Sequence, residues 1–273
     1  MRRTIVRFVS TVLVVTLPMA LPCRGADAAE RPGTESASGS GREALSPADA
    51  AFQAGEFERA RVLYRSAADR GDLFALCRLG QIYLEGLGVE RDPRRAFELY
   101  REAAEQGTPV AQCMLGVLLY DGVGTLRDHA AAAEWYAKAA AQGNDMAMFN
   151  LALMYRDGEG VPRDSARYIE LLKHAAERRN PRAQLELAGL YRDGDGVERN
   201  RARAAVLFNR AAAAGEPAAQ LALGLAYCLG DGVEQDFVRA KKLVKMAFDN
   251  PGADEPLRRK CEATWKKYRL HSY

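Results

Sequence analysis

The chain repeats itself every 36 residues, and this period restricts it to a small group of folds. The string YRDGEGVPRD at 155–164 returns as YRDGDGVERN at 191–200. The period runs without a gap through five units, which are 71–106, 107–142, 143–178, 179–214 and 215–250. A fixed period of about 20 to 50 residues is typical of proteins built from stacked supersecondary units. The period therefore predicts a stacked-repeat protein.

Each unit carries the pattern of two helices separated by a turn. The first helix is marked by an alanine and, four residues later, a leucine, at Ala75/Leu79, Ala111/Leu115, Ala147/Leu151, Ala183/Leu187 and Ala219/Leu223. This spacing places both side chains on one helical face. The second helix is marked by a large residue followed by paired alanines, as in Tyr136 with Ala139 and Ala140. Each hairpin can bury its apolar face only against its neighbours.

A pair of glycines ends every first helix. The pairs are Gly86/Gly88, Gly122/Gly124, Gly158/Gly160, Gly194/Gly196 and Gly230/Gly232. Glycine enters the left-handed backbone region without a Cβ clash, as a helix C-terminus and a sharp reversal require. An Asp or Asn then precedes the second helix, where its side chain can accept hydrogen bonds from unpaired N–H groups; these residues are Asp92, Asp128, Asp164, Asn200 and Asp236.

The pattern A-x-x-x-L-G-x-x-Y-x-x-G-x-G-V-x-x-D, followed by the paired alanines, resembles the Sel1-like repeat, a relative of the tetratricopeptide repeat. The resemblance covers 71–250 and implies an all-α, right-handed α/α solenoid of helix-turn-helix repeats. Three local departures are Thr125 in place of the usual Val, Arg179 in place of the leading Gly, and Tyr168 in place of an Ala.

The two ends of the repeat array differ from its middle. Residues 47–70 continue the register with a shortened first helix, which predicts a tetratricopeptide-like N-terminal hairpin. After Pro251 and Gly252, residues 251–273 carry one apolar stripe among basic residues. Terminal units of solenoids are commonly atypical and polar on the outside, so this segment is predicted to be a C-terminal capping helix.

The N-terminus indicates export. A basic start, a short apolar run from Val9 to Leu21 and an Ala26-Asp27-Ala28 site match a signal peptide over 1–28. Residues 29–46, rich in Gly, Ser and Pro, are predicted to be a flexible linker. We therefore expect a periplasmic or secreted protein with no membrane span after cleavage. An uncleaved anchor and lipidation at Cys23 remain alternatives.

Charge and cysteine content narrow the function classes. Residues 1–28 hold four arginines and one aspartate, so the expected mature chain has 35 basic and 35 acidic residues. A near-neutral chain without interleaved basic and aromatic residues argues against nucleic-acid binding. Four cysteines would survive cleavage, and either Cys77 with Cys113 or Cys228 with Cys261 could pair, although buried free thiols are the simplest expectation.

No pattern of catalytic or metal-binding residues is present. The histidines His129, His174 and His271 lie near neither a cysteine nor a carboxylate cluster at ligand spacing. The acidic column at the ends of the first helices recurs once per unit, whereas a calcium loop gathers its oxygens in one turn. We therefore expect no enzyme activity, no metal and no cofactor.

The resemblance implies that the first helices line a concave groove, in which the exposed columns would bind a protein or peptide partner. The predicted partner-binding residues are Phe74, Val110, Tyr120, Met146, Phe149, Arg156, Arg182 and Arg192. Two alternatives stand beside this prediction. The column containing Phe149 could pack in the core, and Arg156 and Arg192 could merely neutralise Asp157 and Asp193.

The resemblance to exported bacterial Sel1-like proteins implies that this chain is an adaptor that regulates envelope signalling or exopolysaccharide production. A structural part of a glycan export machine is an alternative. The resemblance to some cysteine-rich relatives implies a further alternative, a β-lactam-binding hydrolase. However, the repeat region contains no S-x-x-K nucleophile motif.

Overall fold

The structure, a computed structural model, describes residues 45–273, in which every regular element is a helix. The predicted signal peptide and nearly all of the predicted linker lie outside the described residues. The helices are α1 (Pro47–Gln53), α2 (Phe57–Ala68), α3 (Leu73–Glu85), α4 (Pro93–Glu105), α5 (Pro109–Asp121), α6 (His129–Ala141), α7 (Asp145–Asp157), α8 (Ser165–Glu177), α9 (Pro181–Asp193), α10 (Arg201–Ala213), α11 (Pro217–Leu229), α12 (Phe237–Asp249), α13 (Glu255–Lys267) and a 3₁₀ turn at Leu270–Ser272.

The helix boundaries repeat with the same period as the sequence. The first helices α3, α5, α7, α9 and α11 and the second helices α4, α6, α8, α10 and α12 all contain 13 residues, and each begins 36 residues after its predecessor. This confirms an all-α repeat fold. No helix within 45–273 combines the length and the apolar composition that a membrane crossing requires.

The chain divides into two compact units. The first extends to Glu102 and includes Val117–Arg127, and the second comprises Ala103–Gly116 and Asp128–Tyr273. In the first unit, α1, α2 and α3 pack in sequence order around the buried ring of Tyr64. The Tyr64 hydroxyl donates a 2.7 Å hydrogen bond to Asp49, which ties α2 to α1.

In the second unit, each helix from α6 to α13 packs against the next. The C-terminal end is closed by α13 and the 3₁₀ turn, which bury Cys261 and Leu270 against Cys228 of α11 and Val244 of α12. Trp265 and Tyr268 cover the rim of this cluster. The last repeat therefore has an apolar partner within the chain itself.

The glycine pairs adopt the left-handed turn as predicted, and the two glycines of a pair are required for different reasons. Gly158 ends α7 in the left-handed region at φ 74°, and a Cβ built there has its nearest neighbour 3.5 Å away, at Arg163 Cβ. Gly160 has φ 71°, but a Cβ there would lie 2.2 Å from the carbonyl oxygen of His129, at the start of α6. The second glycine is therefore also a site of close backbone approach between repeats.

A column of buried glutamines, which the repeat pattern does not predict, also joins the repeats of the second unit. The side-chain N–H groups of Gln112, Gln184 and Gln220 donate to the carbonyls of Ala104, Ala176 and Ala212, at 3.2, 3.0 and 3.4 Å. Each carbonyl lies in the last turn of a second helix and also accepts a backbone N–H hydrogen bond of 3.0–3.1 Å, from Gly107, Arg179 and Gly215 respectively. The buried amides thus give these helix ends a second hydrogen bond, which links each second helix to the first helix of the next repeat.

Candidate interaction surface

The second unit exposes one face along its first helices. In the repeats that start at 143, 179 and 215, exposed or partly exposed residues recur three, seven, ten and fourteen residues after the start, which is one helical face. The position thirteen residues after the start is exposed in the first two of these repeats, whereas Cys228 is buried in the third. We call this surface the first-helix face; its residues are Met146, Asn150, Leu153, Arg156, Asp157, Arg182, Glu186, Gly189, Arg192, Asp193, Ala218, Ala222, Leu225 and Leu229. Its α7 part carries apolar and charged residues, its α9 part is mostly charged, and its α11 part is apolar.

Arg156, on α7, forms a polar link to α9. Its guanidinium donates two 2.9 Å hydrogen bonds to Asp157 and lies 3.8 Å from Glu186 of α9. The hydroxyl of Tyr168, from α8 beneath, donates to the same Glu186 carboxylate at 3.3 Å. Tyr168 is the residue that departs from the repeat pattern, so this link is particular to one repeat.

The electrostatics of this link follow from burial and pairing. Burial, reinforced by the Glu186 carboxylate, raises the pKa of Tyr168 to about 12. Its hydroxyl therefore stays protonated and remains a donor at neutral pH. The hydrogen bonds to Asp157 raise the pKa of Arg156, which stays a cation.

Arg192, at the equivalent position of the next repeat, forms the same pair with the aspartate that follows it. It donates two 2.8 Å hydrogen bonds to Asp193, which lower the pKa of that carboxyl. Both arginines of the predicted site are thus paired with the acid that follows them, which is the geometry of the charge-neutralisation alternative. Since exposed ion pairs contribute only about 0–1 kcal/mol, these arginines remain open to exchange partners. Their role in partner binding stays a prediction.

Arg182, at the start of α9, differs from both. It is exposed, and no residue within 45–273 forms an ion pair or hydrogen bond with its guanidinium. Met146 occupies the equivalent position on α7 and exposes 36% of its surface. The first column of the face therefore offers an apolar thioether and an unpaired cation in successive repeats.

Phe149 does not lie on the surface. Only 8% of it is exposed, because its position, six residues after the unit start, points into the helix packing rather than to solvent. It therefore cannot contribute to a binding face without moving out of the core. Val110, also in the second unit, is only partly exposed.

The first unit holds the other two predicted residues. Phe74 is partly buried, and the Arg78 guanidinium lies 5.0 Å from the centre of its ring and 5.2 Å from that of Phe52. Such contacts are attractive because the ring face is electronegative. Tyr120 is partly exposed.

The four cysteines of the described chain, Cys77, Cys113, Cys228 and Cys261, are all buried, and none forms a disulfide. Burial, with a smaller contribution from Asp145, raises the pKa of Cys113 to about 12, and burial raises that of Cys228 to about 11. Nucleophilic cysteines need a lowered pKa, so neither thiol has the chemistry of a catalytic group.

Within residues 45–273, no group of three or more His, Cys, Asp or Glu side chains is placed to hold a metal ion. The first-helix face instead offers paired and unpaired charges beside partly exposed leucines.

A family model described as Sel1 repeat matches residues 55–72, 73–108, 109–144, 145–180, 181–216 and 217–250. No curated protein matches the chain in sequence. A Sel1 repeat protein from Oxalobacter formigenes is similar in structure, with a TM-score of 0.71 and 27% identity, over 81% of this chain and 98% of that one. A protective antigen of uropathogenic Escherichia coli strains, which displays an SLR fold, is 33% identical with a TM-score of 0.63. That match covers 73% of this chain and 45% of the antigen, so this chain spans less than half of the antigen's length.

Proposed function

Because the chain belongs to the Sel1 repeat family, whose members typically mediate protein–protein interactions, we propose that it binds a protein or peptide partner on the first-helix face. The family is generally non-catalytic, and we assign no reaction to this chain. The proposal is for a scaffold or adaptor whose specificity is set by the side chains on α7, α9 and α11.

One observation carries this proposal. The core column Ala147, Ala183 and Ala219 is the same in all three repeats and 0% exposed. The residue directly before each alanine lies on the face and changes from Met146 to Arg182 to Ala218. Helix packing requires alanine in the buried column but does not restrict the residue type in the column on the face. A recognition surface would vary at such unrestricted positions.

A site-specific photo-crosslinker tests the surface in cells. Placed at Met146 in the full chain, it should form a covalent adduct with a partner that mass spectrometry then identifies. The matched control is Val206, which exposes 51% of its surface on the second helix α10. Equal adducts from both positions, or adducts from Val206 alone, would contradict the proposed face.

Charge reversal tests the surface in solution, once that partner is purified. Arg182→Glu should weaken binding because it reverses an unpaired cation on the face. Lys173→Glu makes the same charge change on an exposed position of the second helix α8 and should leave binding unchanged. Arg156→Glu and Arg192→Glu should weaken binding less, because Asp157 and Asp193 already neutralise these guanidinium groups.

We also propose that the protein is exported and acts in envelope signalling or exopolysaccharide production. The support is the basic start, the apolar run and the Ala-x-Ala site in residues 1–28. N-terminal sequencing of the protein from cell fractions should find a chain that begins near Ala29 outside the cytoplasm. A chain that retains Met1 in the membrane fraction would favour the anchored alternative.

A further inference from the structure

The first-helix face contains a glycine that the packing of the protein does not require. Gly189 lies in the middle of α9, and a Cβ built on it meets no atom within 4 Å. The other glycines inside first helices are required, because a Cβ at Gly80, Gly116 or Gly224 would lie 2.8, 2.7 or 2.9 Å from a side chain of the paired second helix. Glycine weakens a helix interior relative to alanine, so Gly189 carries a cost without a compensating contact.

The empty position interrupts an apolar column. The residues at the same place in the flanking repeats are Leu153 on α7 and Leu225 on α11, both partly exposed. Repeats in register place such residues at matching positions on successive first helices. The missing side chain at Gly189 therefore leaves a gap between two leucines, with bare helical backbone as its floor.

An unpaired cation lies on the same face. Arg182 is seven residues from Gly189, which is two helical turns or about 10 Å along α9. Between them, the Glu186 carboxylate is already engaged by Tyr168 and Arg156. Arg156 and Arg192 are paired with their own aspartates. The uncompensated charge beside the gap is therefore positive.

We propose that this part of α9 binds an acidic peptide segment, whose carboxylate pairs with Arg182 while a large apolar side chain fills the gap over Gly189. An extended peptide advances about 3.3 Å per residue, so a span of about 10 Å places the acid and the apolar residue three positions apart. Guanidinium and carboxylate groups pair through two parallel hydrogen bonds, which fixes the register of the peptide. This inference rests on the proposed function and specifies the chemistry of the partner.

The probe is a phage-displayed library of random dodecapeptides, selected on the full-length chain. The enriched peptides should share an Asp or Glu three positions from Leu, Phe, Met or Ile. A synthetic peptide of that sequence should bind at least ten-fold more weakly to Gly189→Leu, which fills the gap, and to Arg182→Glu. Gly189→Leu should not lower Tm, because its Cβ enters open space and leucine favours a helix.

The matched control is Ala137→Leu, which adds a leucine at an exposed position of the second helix α6 and should leave peptide affinity unchanged. A double-mutant cycle sharpens the result. Replacing the apolar residue of the peptide by alanine should abolish the difference between the wild-type protein and Gly189→Leu.

Each contrary outcome overturns a defined part of the inference. Selected peptides that bind Gly189→Leu as tightly as the wild type would remove the gap from the site, and peptides without an acidic residue would remove the role of Arg182. Failure of the library to yield any binder would overturn the peptide proposal. A partner that still crosslinks from Met146 would preserve the proposed function in all three cases.

Discussion

Replacing Gly160 by alanine should destabilise the protein more than replacing Gly158, although both residues lie in one turn with nearly the same backbone conformation. Their φ angles are 71° and 74°. The built Cβ at Gly158 has its nearest neighbour 3.5 Å away. At Gly160 it would lie 2.2 Å from the His129 carbonyl oxygen and 2.8 Å from the Ala130 nitrogen. The pair therefore separates backbone strain from crowding.

The magnitudes follow from these distances. A left-handed conformation costs an L-residue about 1–2 kcal/mol, so Gly158→Ala should lower the free energy of unfolding by about that amount. Carbon and oxygen atoms normally stay at least about 3.3 Å apart, so Gly160→Ala must also displace the first turn of α6 by about 1 Å. Overpacking of this kind typically costs about 1–3 kcal/mol. Gly160→Ala should therefore cost about 2–5 kcal/mol in total.

Urea unfolding followed by far-UV circular dichroism measures both losses. The unfolding midpoint should decrease for both variants, and about twice as far for Gly160→Ala. Limited proteolysis should reveal earlier cleavage near residues 129–160 in that variant, because α6 is displaced. Equal losses for the two alanines would refute the reasoning, since they would mean that the second glycine serves only backbone conformation.

Three further predictions concern single positions in the second unit. A Cβ at Gly196 would lie 2.6 Å from Ile169 Cδ1, so Ile169→Val should partly restore the stability that Gly196→Ala removes. A double-mutant cycle of urea unfolding should show a favourable coupling of about 1 kcal/mol. Additive losses of stability would contradict this contact. Arg179 holds φ 68° where the other units begin with glycine, so Arg179→Gly should raise Tm, corresponding to about 1 kcal/mol; a lower Tm would show that its side chain outweighs the strain. Burial raises the pKa of Cys113 from 9.0 to about 12, so the stability contributed by its neutral thiol is complete below pH 9.0 and is lost as the pH rises toward about 12. Unfolding midpoints should therefore decrease more steeply above pH 9.0 for the wild type than for Cys113→Ala. Parallel curves for the two proteins would contradict the raised pKa.

The repeat pattern was sufficient to predict the helices and turns, because local physics alone determines them. Asp128 accepts a hydrogen bond from Ala131 N–H at the start of α6, and Asp164 accepts one from Arg167 N–H at the start of α8. Each cap needs only an oxygen at the right position in sequence. The glycine turns likewise depend on the absence of one Cβ. A strict period then repeats each correct local prediction in every unit.

The surface was less predictable, because it depends on which side chains meet between helices. The repeat pattern places Phe149 in a column without indicating how deeply the neighbouring helices bury it. The polar link among Arg156, Tyr168 and Glu186 joins three helices. Glu186 occupies a column that was not among the predicted groove positions. The departure at Tyr168 was the available signal, since a phenol in place of an alanine needs both space and a polar partner.

The gap-free register also makes the number of repeats adjustable. Deleting residues 181–216 would join Asn180 to Pro217, which is the same junction that already exists between Asn180 and Pro181. At present α11 begins after Glu216, whose side chain makes no capping hydrogen bond, whereas Asn180 caps α9 through Ala183 N–H. The shortened chain would therefore give α11 a better start than it has now. Unequal recombination between such repeats could remove or duplicate one recognition stripe at a time without redesigning a helix end, so ligand choice could evolve in modular steps.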